Sequence, residues 1–164
     1  PLVTIVLGSR WESKNWIKQG YIHLIQHIPA IEALRVAMIG DASQEATAAE
    51  ILEQIDINDP INLVGRTSLL ELAAVLKYST LAVGPDSGPG HLATALGTPY
   101  ISLFGPTSPM RTAPYGCEHL VVRTQLECMP CYQKQCPLHT RQCMLDIRAE
   151  QIMEKFRQVM AQKE

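Results

Sequence analysis

The sequence predicts an α/β domain, a parallel sheet with helices on both of its faces. Three observations lead there. Short apolar runs alternate with longer amphipathic stretches in a βαβα rhythm. The runs are apolar at successive rather than alternate positions, the pattern of strands covered on both sides. Five successive runs end in glycine with a small polar residue close behind: Gly8-Ser9, Gly40-Asp41, Gly65-Arg66-Thr67, Gly84 to Gly88 and Gly105-Pro106-Thr107. Open parallel sheets bind ligands at the carboxyl ends of their strands, so these five ends define one candidate cleft.

Taken in order, residues 3–7 are an apolar run and open the chain as a strand, and 16–28 follow as an amphipathic helix. A strand at 35–39 leads to a helix at 45–55, and a short strand at 61–64 leads to a helix at 68–78. Ser68 followed by Glu71 ahead of an apolar run is a capping box, which marks where that helix begins. Residues 80–83 end the next buried run, Asp86-Ser87-Gly88 supply helix-capping chemistry, and 88–96 form a helix rich in alanine and leucine. A strand at 100–104 comes next. A last strand at 119–122 and a final helix at 148–160 close the sheet, with an irregular cysteine-bearing excursion between them.

At 164 residues the chain is one ordinary domain, 1–164, able to bury about two-thirds of its unfolded surface without disulfides. A formal net charge of -2 provides no basic field for nucleic acid. No apolar run approaches the roughly 20 residues that span a bilayer, and the opening residues lack the pattern of a signal peptide. Both point to the cytoplasm. The chain opens on Pro1 and enters a strand at once, which predicts a further domain upstream.

The segment from Gly84 to Pro109 builds an anion pocket: a helix start with free N–H groups, a hydroxyl and a glycine is where a phosphate sits. Ser87 and the Gly88 N–H lie in the first turn and gain from the helix dipole. His91 is one turn further on, either a phosphate donor or a histidine packed under the turn. Lys14 opens the first helix and offers a compact positive charge to a phosphate, its other reading being a solvated surface lysine. Asp86 is the wrong charge for phosphate contact and reads as a helix cap or an acceptor for sugar hydroxyls. Glu45 begins the second helix beside Gly40-Asp41, to hold a ribose diol or simply to favour the helix dipole. The first loop lacks both G-x-G-x-x-G and a Walker lysine motif, which disfavours a standard dinucleotide site or P-loop.

Four of the five cysteines crowd into one segment, as Cys128-x2-Cys131-x4-Cys136-x6-Cys143. By ligand type and loop length this suits a tetrahedral structural zinc; reduced packing thiols and disulfides are the other readings.

The stretch from Asp86 through Ser87-Gly88-Pro89-Gly90-His91 to Thr98-Pro99 resembles the hallmark of glycosyltransferase family 9, the ADP-heptose:lipopolysaccharide heptosyltransferases. The likeness continues through Leu103-Phe104-Gly105-Pro106-Thr107, Pro114-Tyr115-Gly116, the Lys14-Asn15-Trp16 signature and the cysteine segment. It implies a Rossmann-like sheet, the C-terminal, donor-binding domain of a two-domain GT-B enzyme. Carried over, Ser9 and Lys14 would contact the diphosphate, Glu45 (or its neighbour Gln44) the ribose, Thr67 the adenine region and Asp86 the donor sugar. Ser87, Gly88 and His91 would hold phosphates. The implied reaction is an inverting transfer of heptose or a related sugar from a nucleoside diphosphate, ADP-heptose by resemblance, to a lipopolysaccharide core acceptor. No metal cofactor is required by it. The general base and the acceptor site would lie in an N-terminal domain, leaving this chain inactive alone, with a peripheral place at the inner membrane. A non-catalytic nucleotide or nucleotide-sugar binding module is the alternative.

Overall fold

The computed structural model describes residues 1–30 and 34–162. Six strands form one sheet: β1 (Leu2–Val6), β2 (Arg35–Ile39), β3 (Ile61–Asn62), β4 (Leu81–Pro85), β5 (Tyr100–Phe104) and β6 (Val121–Arg123). Their order is β3-β2-β1-β4-β5-β6 and every neighbouring pair is parallel. The chain starts at the centre, winds outward through β2 and β3, then returns to lay β4 against the other side of β1. The order reverses between β1 and β4, which opens a crevice at their carboxyl ends.

The helices are α1 (Lys18–His27), α2 (Glu45–Leu52), α3 (Leu69–Tyr78), α4 (Gly88–Ala95), the short α5 (Pro109–Thr112) and α6 (Gln142–Leu145), and α7 (Ala149–Ala161). Ser68 accepts from the Glu71 N–H while Glu71 accepts from the Ser68 N–H, the expected capping box. The first helix starts two residues later than the apolar pattern suggests, because Trp16 turns inward from an extended segment. Its indole N–H donates to the Ile147 carbonyl at 3.0 Å. The expected last strand begins as a 3₁₀ turn (Glu118–Leu120) and becomes strand only at Val121.

Alternation along the strands splits the core in two. Val3 and Ile5, Val36 and Met38, Leu81 and Val83, Ile101 and Leu103 face one side and bury against α1, α2 and α7. Val6, Ile39, Ala82 and Tyr100 face the other, with Leu76 of α3 and Ala93 of α4. Each layer needs the sheet between them, as strands buried on both faces require. Two fully buried tyrosines then fix the strand ends that flank the crevice: the Tyr21 hydroxyl donates to Val6 O at 3.1 Å from one face, and the Tyr100 hydroxyl to Pro85 O at 3.0 Å from the other. Burial pushes both phenols well above their ordinary pKa, so they stay neutral donors.

Tyr100 has room only because two neighbours lack a side chain. A Cβ at Gly90 would meet its ring at 2.7 Å, and one at Gly84 would meet its hydroxyl at 2.6 Å and Val6 at 2.5 Å. Gly88, two residues before Gly90, has open space around it. Gly90→Ala is therefore expected to cost about 1–3 kcal/mol of stability through overpacking, whereas Gly88→Ala stays within about 0.5 kcal/mol. Urea unfolding midpoints of the two variants, at unchanged slope, check this.

Candidate functional site

The crevice between β1 and β4 is a cleft of about 580 Å³. Its apolar part is Val6, Ile39 and Leu72, and its polar part comes from the strand ends: Ser9, Arg10, Trp11 and Lys14 after β1, Gly40, Asp41 and Gln44 after β2, Thr67 before α3, and Asp86 to Pro89 after β4. Six residues singled out in the sequence, Ser9, Lys14, Thr67, Asp86, Ser87 and Gly88, thus meet on one surface. Glu45 and His91 lie outside the lining. The Glu45 carboxylate folds against Gly65, in the space that a Cβ there would take, and the buried Gln44 occupies the cleft wall instead. His91 is exposed on the first turn of α4. The fifth strand end stands behind the cleft rather than in it: Thr107 is buried and its hydroxyl donates to Asp86.

At the centre is an ion pair. Lys14 Nζ lies 2.8 Å from Asp86 Oδ2 and 3.2 Å from the Asp86 carbonyl, and 4.6 Å above the Trp11 ring. Two of the ammonium's three protons are committed to these oxygens, and the third has no hydrogen-bond acceptor among the described residues. The side chains are 14% and 5% exposed, so the pair sits in a poorly screened setting where its field reaches into the cleft. Asp86 Oδ2 also accepts from Thr107 Oγ1 at 2.7 Å and Thr112 Oγ1 at 3.2 Å. Asp86 is therefore a fixed counter-ion, not the cap of α4. Ser87 occupies the N-cap position, but its hydroxyl donates back to Pro85 O at 3.1 Å; Pro89 has no N–H and the Gly90 N–H donates to Ser87 O at 3.1 Å, so of the first three residues of α4 Gly88 is the one whose N–H is left for the cleft. That end of the helix carries positive partial charge into the cleft beside the Lys14 ammonium.

The turn that carries Lys14 is held by its own short bonds. Ser9 N–H donates to Asn15 Oδ1 at 2.7 Å, and Ser9 Oγ bridges the Trp11 backbone at 3.1 Å. A second hold comes from the cysteine excursion. Ser13 N–H donates to Lys134 O at 3.1 Å, Ser13 Oγ donates to Gln133 O at 2.6 Å, and Tyr132 N–H donates to Pro106 O at 2.8 Å. Three consecutive residues of the excursion thereby tie the Lys14 turn to the loop of Thr107. Trp11 and this strut carried no mark in the sequence beyond their nearness to Lys14 and the cysteines.

Cys128, Cys131, Cys136 and Cys143 line one small pocket of about 70 Å³, and all five cysteines are free thiols. Among the described residues no three His, Cys, Asp or Glu side chains are grouped to hold an ion. Cys143 is buried on α6, and Cys128 is exposed. Among the described residues, no helix is long and apolar enough to cross a membrane.

A parallel sheet in the order 3-2-1-4-5-6 with its cleft at the reversal point defines a Rossmann-like nucleotide-fold domain. Residues 1–141 match the profile of glycosyltransferase family 9 (heptosyltransferase), and the chain belongs to that family. It is 28% identical over 155 residues to a lipooligosaccharide heptosyltransferase 2 of Campylobacter jejuni, covering 93% of this chain and 49% of that protein. Lipopolysaccharide heptosyltransferase 1 of Pseudomonas aeruginosa is 29% identical over 154 residues, covering 92% and 42%. Among solved structures, the Escherichia coli ADP-heptose LPS heptosyltransferase II superposes with a TM-score of 0.83 at 24% identity, over 99% of this chain and 47% of that one. The E. coli heptosyltransferase WaaC with ADP gives 0.75 at 21% identity, over 96% and 44%. The chain spans about half the length of these relatives.

The thiols differ in reactivity by environment. The Arg141 N–H, 3.4 Å from Cys136 Sγ, lowers the pKa of that thiol. Burial raises those of Cys143 and Cys117, with the neighbouring thiols adding to the rise at Cys143. Iodoacetamide labelling followed by mass spectrometry is expected to modify Cys136 first and at the lowest pH, with Cys117 and Cys143 lagging until higher pH; the reverse order would refute this environment.

Proposed function

We propose that this chain is the donor-binding half of an inverting heptosyltransferase, taking heptose from ADP-heptose for transfer to a lipopolysaccharide core acceptor. The observation that carries the reading is the cleft at the β1/β4 reversal, where the Lys14 ammonium and the uncapped start of α4 converge on one space. A diphosphate is the ligand such a pair fits, because both supply fixed positive potential and N–H donors without having to reorganise. The apolar portion, Val6, Ile39 and Leu72 with Thr67 at its edge, has the character of a purine slot. The names of the relatives supply the sugar: one solved neighbour was determined with ADP and another with ADP-D-β-D-heptose.

Transfer breaks the bond between the anomeric carbon and the diphosphate oxygen while an acceptor hydroxyl attacks from the opposite face. Negative charge grows on the leaving diphosphate, and that charge is what the site has to stabilise. Lys14 and the Gly88 N–H are the groups that do so, the Ser87 hydroxyl joining them by turning its proton from Pro85 O to the phosphate, and Asp86 receives hydroxyls of the sugar. The base that takes the acceptor proton is assigned to the half of the enzyme upstream of this chain, which we place at the inner membrane surface on the cytoplasmic side.

Calorimetric titration of ADP into the chain tests the reading. Binding is expected, and Lys14→Met should weaken it at least about tenfold, which is about 1.4 kcal/mol. In the whole enzyme the same change should lower kcat on the order of 10²-fold, the cost of one preorganised donor. An ADP affinity untouched by Lys14→Met sinks the diphosphate role, and sugar transfer by residues 1–164 alone sinks the assignment of the base.

A further inference from the structure

The two oxygens of the Asp86 carboxylate are treated very differently. Oδ2 takes Lys14 Nζ, Thr107 Oγ1 and Thr112 Oγ1, at 2.8, 2.7 and 3.2 Å. Oδ1 has no hydrogen-bond partner among the described residues. It is not sealed in the core either, since among those residues Ser102 Oγ alone is a fully buried side-chain oxygen or nitrogen lacking a partner. Asp86 lines the cleft, and Oδ1 is the carboxylate oxygen that keeps its acceptor capacity unused. Thr107 does not line that cleft. It lies behind Asp86, 5% exposed, on the wall of a neighbouring pocket of about 200 Å³.

We propose that Thr107 is a positioning residue for the donor sugar: its hydroxyl, supported by that of Thr112, pins Oδ2 so that Oδ1 stays turned into the cleft as an acceptor for sugar hydroxyls. This rests on the donor-cleft reading above. An ammonium is a point charge that attracts both oxygens of a carboxylate, and by itself it sets no rotation about the Cβ–Cγ bond. A hydroxyl on the far side of Oδ2 supplies what Lys14 does not, a directional hydrogen bond that fixes the carboxylate plane without adding charge. Thr107 is the stronger of the two. Its bond is shorter, and the Thr112 proton is shared with Ser108 O at 3.4 Å. Without Thr107 the carboxylate is free to swing both oxygens toward Lys14, and Oδ1 leaves the position that meets the sugar. Lys14 itself stays put, because its bond to the Asp86 carbonyl and its place over Trp11 do not depend on Thr107.

The experiment is a pair of calorimetric titrations, with ADP and with ADP-heptose, on the full chain carrying Thr107→Val, Thr107→Ser or Thr112→Val, with melting temperatures measured alongside. Thr107→Val should weaken ADP-heptose about tenfold, the scale of one hydrogen bond to a charged group, while ADP affinity stays within about twofold. Thr107→Ser, which keeps the hydroxyl, should restore the wild-type preference, and Thr112→Val should show the same selective loss in weaker form. Unchanged ADP-heptose affinity in Thr107→Val overturns the proposal, and so does an equal loss for both ligands, the result of a merely structural role. Should Thr107→Val fail to fold, the Thr107→Ser and Thr112→Val results decide by the same criterion. A wild-type chain that binds neither ligand overturns the donor-cleft reading and this inference together, whereas normal ADP binding with no selectivity change overturns only the latter.

Discussion

The buried pairing of Lys14 with Asp86 is the constraint around which the rest of the molecule is arranged. Each partner comes from the end of a different central strand, so the pair exists only when β1 and β4 lie side by side with their carboxyl ends level. Taking one partner away from a buried ion pair leaves an uncompensated charge, at a cost on the order of 3–5 kcal/mol. The sheet meets that demand on both faces, through Tyr21 bonded to the last carbonyl of β1 and Tyr100 bonded to the last carbonyl of β4. Gly84 and Gly90 follow from the second of these bonds, because a ring under the β4–α4 turn leaves no room for a Cβ at either position.

The cysteine excursion gains a purpose from the same constraint. Residues Tyr132, Gln133 and Lys134 use backbone atoms to tie the turn of Lys14 to the loop of Thr107, and these are the two segments that converge on Asp86. Arg141 adds a bond to the Glu12 carbonyl at 3.3 Å. Backbone bonding of this kind makes little demand on side-chain identity. The thiols themselves lie around a pocket that Ser13, Pro106 and Arg141 also line, and Cys136 borders a second hollow with Arg10 and Trp11 of the cleft.

Much of the fold was legible because its signals are local. The strands are continuous apolar runs, the capping box at Ser68 depends on two residues three apart, and the five glycine-marked strand ends were visible as a repeating pattern. Four of those ends contribute to the cleft, and the fifth supplies Thr107 from behind. What was hidden depended on distant partners. Asp86 carried the local mark of a helix cap, yet its partners lie 72, 21 and 26 residues away. The short helices α5 and α6 span four residues each, too few to show a period. Cysteine spacing speaks only of loop length, and it does not reveal that α6 buries Cys143 while Cys128 stays exposed.

A site that must favour a leaving diphosphate and also grip a neutral sugar faces opposing electrostatic needs. Positive potential serves the first, and a hydrogen-bond-accepting carboxylate serves the second, but placed freely side by side they would collapse onto each other. The arrangement around Asp86 keeps the two functions apart on a single residue. One carboxylate oxygen and the carbonyl hold the ammonium; on the proposed reading its remaining proton serves phosphate and the other carboxylate oxygen serves the sugar. Such a division works only if the carboxylate cannot rotate, and the uncharged hydroxyls of Thr107 and Thr112 provide that without strengthening the positive side. The helix start then adds positive potential from a source that no carboxylate can neutralise by moving, since its dipole is fixed by the backbone of α4. On the proposed donor-binding reading, rigid placement of opposite charges, rather than the sum of the charges, is what equips this cleft for a nucleoside-diphosphate sugar.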